Sequence, residues 1–381
     1  MSELLEFFKD RTDDMINLLM QVVNFETPSH DPALVNKLVD FLEEYFSTVG
    51  ADSVTRYPQD EVGDFLLAKW NENVPGKPIL FLGHMDTVWA EGTLVERPVR
   101  IDNEGRIYGP GAVDMKGGIV VALNAIAGLK ERGELPNRPV WFLATSDEEI
   151  GSRKSKETIE NCAKDAALVI VMEPGTSDGS TKIQRKGSGT YRITVEGKAA
   201  HAGNEPEEGI NAIVELAAQV TKLHKMNDLR NGTSVSVTLI EGGTAGNVIP
   251  AKASVHVDTR VLTVRAGEDL NEAITSLTPT MPGANVIVEY LGGRGPMEYN
   301  DLMKETFSKY QAIGKKYGVT IRGESVGGGS DGNFTAIMGI PTIDGMGPYG
   351  GGLHALHEHV LISSMAERAT VVAGILKDWE E

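Results

Sequence analysis

Cysteine occurs once in the 381 residues, at Cys162. No intrachain disulfide can form, which excludes a disulfide-stapled scaffold and suits a reducing compartment. Positive charge is also scarce: 36 Lys+Arg against 54 Asp+Glu give a net charge of −18 at pH 7. Such a field repels phosphate backbones and anionic headgroups, so neither nucleic acid nor a membrane is an expected partner. No apolar run approaches the roughly 18 residues of a membrane span. The opening MSELLEFFKDRTDD lacks the basic-then-apolar pattern of a secretory leader, so the expected location is cytoplasmic. What remains is ordinary globular composition, 41% hydrophobic and 24% charged, in a chain long enough for two or more domains.

The chain opens with helical periodicity: Leu4, Leu5, Phe8, Ile16, Leu19 and Val23, then Leu34, Leu38, Leu42 and Tyr45. Three short apolar runs follow, Ile79–Leu82, Val140–Ala144 and Leu168–Met172. They read as strands buried on both faces of a mostly parallel sheet. Between the first two, Ile119, Leu123 and Ile126 line a helix that Gly133 stops. From residue 187 the texture changes. Strand-like Tyr191–Glu196 precedes Ile210, Ile213, Val214, Ala217 and Val220 at helical spacing. Val235, Val237 and Leu239 alternate, as do Val255 and Val257, before a helix at Glu268–Leu277 and a strand at Val286–Tyr290. That order, β-α-β-β-α-β, is the split βαβ pattern of a ferredoxin-like domain. Helix–strand alternation resumes after LGGRGP, with a helix near Leu302–Tyr317, an apolar run at Ile340–Ile343 and a last helix whose Ser364 and Glu367 have capping-box spacing. The predicted fold is therefore α/β: a catalytic-type domain at 1–186 and 294–381, with an α+β domain inserted at 187–293.

Acidic and histidine residues gather at strand exits. GHMDT follows the first apolar run, SDEE the second, and MEP ends the third; ligands of open α/β sheets bind beyond such strand ends. His84, Asp86, Asp147, Glu148, Glu149 and Glu173 therefore point at one site. GPGAVDMKGG adds Asp114, and GGGLHALHEH adds His354, His357 and His359. Any one of these carboxylates is more often a turn residue or helix cap, and Asp114 alone reads as an N-cap. Imidazoles together with several carboxylates instead match zinc, with Mn²⁺ or Co²⁺ as competitors. The glycine-rich GPGAVD and GGGSDG lack the context of a nucleotide fingerprint or phosphate loop.

The ordered set GHMDT, GPGAVDMKGG, SDEEIGS, MEPG, GKAAHAG, AGNVIPAKA, DTR and GGGSDG resembles the co-catalytic zinc hydrolases of the aminoacylase and glutamate carboxypeptidase family, in particular bacterial glutamate carboxypeptidases of the folate-hydrolysing type. The resemblance implies two Zn²⁺ per subunit, one held by His84, Asp114 and Glu173, the other by Asp114, Glu149 and His354, with Co²⁺ or Mn²⁺ as substitutes. It assigns Asp86 to orienting His84 and Glu148 to general-base catalysis, moving a proton from the attacking water to the leaving nitrogen. His201 would stabilise the oxyanion across a homodimer formed by the inserted dimerisation or lid domain, a turn histidine capping a strand being the alternative. Asn247 and Arg260 would hold the substrate's carboxylate. Lys182 would serve a second carboxylate, a solvated surface lysine being the alternative. The implied reaction is hydrolysis of an amide beside a free carboxylate in a small-molecule substrate, releasing a C-terminal amino acid, glutamate first. Alternatives are an N-acyl-amino-acid deacylase of the acetylornithine deacetylase or succinyl-diaminopimelate desuccinylase type, a dipeptidase, or a metal-binding homologue without turnover. Intact Glu148 speaks against the last.

Overall fold

A computed structural model describes residues 2–381. The chain divides into two compact units, one comprising residues up to Ile183 with Tyr299–Ser325 and Ser330–Glu381, the other Gln184–Glu298 with Val326–Gly329. Their main strands, in chain order, are β1 (Ser53–Tyr57), β2 (Phe65–Trp70), β3 (Ile79–His84), β4 (Val140–Thr145), β5 (Leu168–Val171), β6 (Gly187–Glu196), β7 (Ser234–Gly242), β8 (Lys252–Val261), β9 (Asn285–Arg294) and β10 (Thr342–Ile343).

In the larger unit six strands run in the order β1-β2-β4-β3-β5-β10. The four strands β4, β3, β5 and β10 pair in parallel, whereas β1 and β2 join antiparallel. The parallel strands alternate between two cores, which explains their near-continuous apolar sequence. Ile79, Phe81, Phe142 and Ile170 pack with the helices Gly117–Glu131 and Ile362–Asp378. Leu80, Leu82, Leu143 and Val169 face Ile159, Cys162 and Ala163 of the helix Lys156–Ala163. Strands β1 and β2 are additions to the sequence reading. The half-exposed β1, at the sheet edge, carries no apolar run, and the run FLLA of β2 is as strong as those recognised.

Two local expectations change. The last helix begins at Ile362, so Ser364 lies inside its first turn and bonds Leu361 O and the Tyr349 backbone, while Glu367 meets the Tyr349 hydroxyl; no capping box forms. The stretch Ala112–Glu131 is apolar and long enough to cross a membrane, yet 94% of its most apolar window is buried within the protein.

The smaller unit is a four-stranded antiparallel sheet in the order β7-β8-β6-β9, with helices Ala212–Lys225 and Val264–Thr275. This is the ferredoxin-like arrangement that the alternation predicts. One face is rotated, however. The helix buries Ala212, Leu216 and Leu223, together with Glu215, whose carboxylate accepts the N–H groups of Thr280 and Met281. Ile213 and Val214 are exposed, as are Leu239 and Ile240 on the edge strand β7, where a bulge between Val237 and Leu239 breaks the inward alternation.

Candidate metal centre

Parallel strands deliver their carboxyl ends to one edge of the sheet, and three of them bring the acidic residues there. His84 ends β3; Glu148 and Glu149 follow β4 in a single 3₁₀ turn; Glu173 lies two residues beyond β5. Asp114 precedes the core helix Gly117–Glu131, with a cis peptide bond to Met115. His354 comes from a loop after β10 and holds a left-handed φ of 56°.

Asp114 stands between the two imidazoles. Its Oδ1 is 3.4 Å from His84 Nε2 and its Oδ2 is 3.2 Å from His354 Nε2. Glu173 Oε1 lies 3.4 Å from the same His84 nitrogen, and Glu149 Oε2 lies 3.2 Å from His354 Nε2. One donor atom each from His84, Asp114 and Glu149 falls within 4.8 Å of the others, as does one each from His84, Glu148 and Glu173. The two donor triads share His84, and the contacts of the two imidazoles share the Asp114 carboxylate.

These residues fit zinc. His84 Nε2 is buried without a hydrogen-bond partner, the kind of orphan that a bound cation satisfies. The other ring nitrogen, Nδ1, lies 3.0 Å from Asp86 O and 3.4 Å from Asp86 Oδ1, so the ring presents Nε2 to the cluster. The electrostatics agree. Burial and then the Asp114 charge push Glu149 up to about 9. His354, beside Asp114, is held up at about 9. For His84, burial works against the imidazolium, but Asp114, Asp86 and Glu173 outweigh it and keep its pKa well above 6.5. Burial opposes ionisation of Asp114 too, and the two imidazoles outweigh it and hold that carboxyl well below its usual range. Zinc held by these residues would displace the protons that the shifts favour on Glu149 and the imidazoles.

Asp86 does more than face a ring. Its fully buried carboxylate accepts from Ser29 Oγ at 2.7 Å and from the backbone N–H groups of Glu148 and Glu149 at 3.3 and 3.2 Å. Ser29 carries no sequence signal for this task, because a lone serine in a loop has no pattern. Lys182 is not a solvated surface lysine: it is buried, with Nζ 3.6 Å from Glu173 Oε2. His357 and His359 stay out of the donor groups; His359 Nδ1 bonds the His357 carbonyl and its ring packs on Tyr108.

The remaining predicted residues belong to the smaller unit. His201 and Asn247 adjoin there, since Ala202 N–H donates to Asn247 O and the His201 strand pairs with Val248. His201 Nδ1 accepts the N–H groups of Gly203 and Asn204, so its neutral ring carries the proton on Nε2. Arg260 already makes a two-point pair with Asp258, using Nε and Nη2 at 3.0 Å each.

Residues 80–378 match the profile of peptidase family M20/M25/M40. The chain belongs to this family. Carboxypeptidase G2 of a Pseudomonas species is 33% identical over 97% of the chain and 91% of its own length. A succinyl-diaminopimelate desuccinylase of Pseudoalteromonas atlantica is 28% identical, covering 96% of the chain and 98% of that protein. Among solved structures, a Staphylococcus aureus tripeptidase superposes with a TM-score of 0.77 at 22% identity, over 96% and 98% of the two chains, a likeness of fold. The protein is thus a zinc-dependent metallo-hydrolase of amide bonds with the M20 fold.

Proposed function

We propose that this chain is a cytoplasmic, homodimeric carboxypeptidase that removes a C-terminal amino acid, preferentially glutamate, by hydrolysing the amide beside its free carboxylate. The observation that carries the reading is the division of the Asp114 carboxylate between two imidazole nitrogens. His84, Asp114 and Glu173 would hold one zinc, and Asp114, Glu149 and His354 the other. Zinc bound there supplies a Lewis acid for the scissile carbonyl and lowers the pKa of water.

The chain's own groups then divide the work. Glu148 accepts the proton of the attacking water and returns it to the departing nitrogen. Asp86 holds His84 and the Glu148–Glu149 turn in place. His201, with its proton on Nε2, donates to the oxyanion in the partner subunit's site. The exposed apolar Leu239 and Ile240 of edge strand β7, with Ile213 and Val214, support pairing through the inserted unit. Asn247 and Arg260 hold the α-carboxylate. Because Asp258 occupies the Nε–Nη2 edge of Arg260, the substrate meets the Nη1–Nη2 edge. Lys182 serves the side-chain carboxylate of glutamate.

Charge separates this reading from the deacylase suggested by the desuccinylase relative. A glutamate product needs two cations in a chain of net charge −18. Kcat/KM for N-acyl-glutamate and N-acyl-alanine, measured in wild type, Arg260→Ala and Lys182→Ala, tests it. Arg260→Ala impairs both substrates. Lys182→Ala costs the glutamate substrate selectively, by about 1.5–3 kcal/mol for a lost charged hydrogen bond. Equal losses in Lys182→Ala remove the selectivity, and a wild type indifferent to glutamate moves the assignment to the general deacylase.

A further inference from the structure

Four residues after His354, Glu358 places an ionisable carboxylate at a fully buried position. An isolated buried carboxylate is strongly unfavourable, so its partners reveal what it is for. Oε1 accepts the backbone N–H groups of Val113 at 3.1 Å and Asp114 at 3.2 Å. Oε2 accepts the N–H of Gly111 at 3.0 Å and the Trp89 indole N–H at 2.7 Å. Gly111 has a φ of 72°, a left-handed turn that helps aim three amides of one short segment at a single anion. Four charge-assisted donors fill the acceptor positions of the carboxylate, so Glu358 is committed to the protein and is no metal ligand.

The three segments joined in this way are those of the metal centre. Trp89 follows Asp86 by three residues, Gly111–Asp114 contains the aspartate between the imidazoles, and Glu358 belongs to the loop that carries His354, closed by its own N–H to Ala355 O. We infer that Glu358 is a positioning residue of the metal centre, holding the Asp114 backbone and the His354 loop in register so that one carboxylate faces both histidines. The inference rests on the metal-centre reading above, and it extends that reading to a residue that touches neither metal nor substrate.

Glu358→Gln tests it. The amide keeps one acceptor oxygen and turns a second pair of N–H donors toward an NH₂ group, so two donors lose their partner. Trp89→Phe removes one donor and leaves the backbone clamp. Zinc affinity is measured by titration calorimetry, and Co²⁺ loading by the visible spectrum of the protein–cobalt complex, both on the full chain. The expected result is zinc binding weakened by about 10–100-fold in Glu358→Gln, the range for lost outer partners of ligands, with a changed cobalt spectrum. A smaller weakening in the same direction is expected in Trp89→Phe. A folded Glu358→Gln protein with wild-type zinc affinity and cobalt spectrum, and only a lowered Tm, overturns the inference. If Glu358→Gln does not fold, unchanged affinity and spectrum in Trp89→Phe overturn it instead. Wild type that takes up no zinc overturns the metal-centre reading itself, and the inference with it; wild type that binds zinc indistinguishably from folded Glu358→Gln defeats the inference alone.

Discussion

The Asp86 carboxylate accepts the backbone N–H of Glu149 at 3.2 Å, although the proposed reaction assigns the two side chains different tasks. Both oxygens therefore help place the turn, and Oδ1, which accepts from Glu148 N–H, also lies 3.4 Å from His84 Nδ1. Asp86→Ala removes both restraints at once. Zinc affinity measured by calorimetry should fall by about 10–100-fold, and Ser29→Ala, which leaves the carboxylate in place, should lose less. Wild-type affinity in Asp86→Ala would show that the aspartate orients nothing.

Glu148 and Glu149 are adjacent in one 3₁₀ turn and are assigned opposite jobs. Glu148→Gln should retain zinc by elemental analysis and lose about 10²–10⁴ in kcat, the range for removing an acid–base group. Glu149→Gln, which removes the negative charge that faces His354, should lose zinc first. The reverse pattern, metal lost from Glu148→Gln with its rate per bound metal preserved, would exchange the two roles.

Action of His201 across a dimer predicts complementation. Inactive Glu148→Gln chains mixed with inactive His201→Ala chains should regain activity, because one site of the heterodimer holds both groups intact. Subunit exchange demonstrated by mass labels, with no recovered activity, would return His201 to its own subunit or remove it from the reaction.

Cys162 gives a pH dependence unrelated to the site. Burial pushes its thiol up to about 11 from a usual 9.0. A folded-state pKa above the unfolded value contributes stability that is full below pH 9 and is lost as pH climbs toward 11. The contribution is up to about 3 kcal/mol at 1.4 kcal/mol per unit. Thermal melts of wild type and Cys162→Ala at pH 8 and pH 10.5 should therefore converge at the higher pH. A constant gap between them would mean that the thiol does not feel its burial.

Much of this was legible in the residues. The strands β3, β4 and β5 are buried on both faces and show it as continuous apolar runs; their exits carry His84, Glu148, Glu149 and Glu173 in order. What was hidden has a physical reason in each case. Strand β1 is a half-exposed edge and needs no apolar pattern. On helix Ala212–Lys225 the apolar Ile213 and Val214 suggest an inward face, whereas the core side includes Glu215, made tolerable by backbone donors from residues 280 and 281. Lys182 is buried by its pairing with Glu173, a contact between residues that the local pattern cannot relate. Ser29 and Trp89 act through long-range hydrogen bonds, which leave no periodicity behind.

The order of the site residues along the chain sets the order in which a ribosome releases them. His84, Asp114, Glu149 and Glu173 emerge before the inserted unit is made, while β10, His354 and Glu358 emerge only after it. Until then the acidic strand ends face one another without the second imidazole, and the Gly111–Asp114 turn has no anion to hold it. The candidate centre is therefore complete only when the segment carrying β10, His354 and Glu358 folds back beside β5. A nascent chain stalled before residue 342 lacks the outer strand, the second histidine and the clamp together.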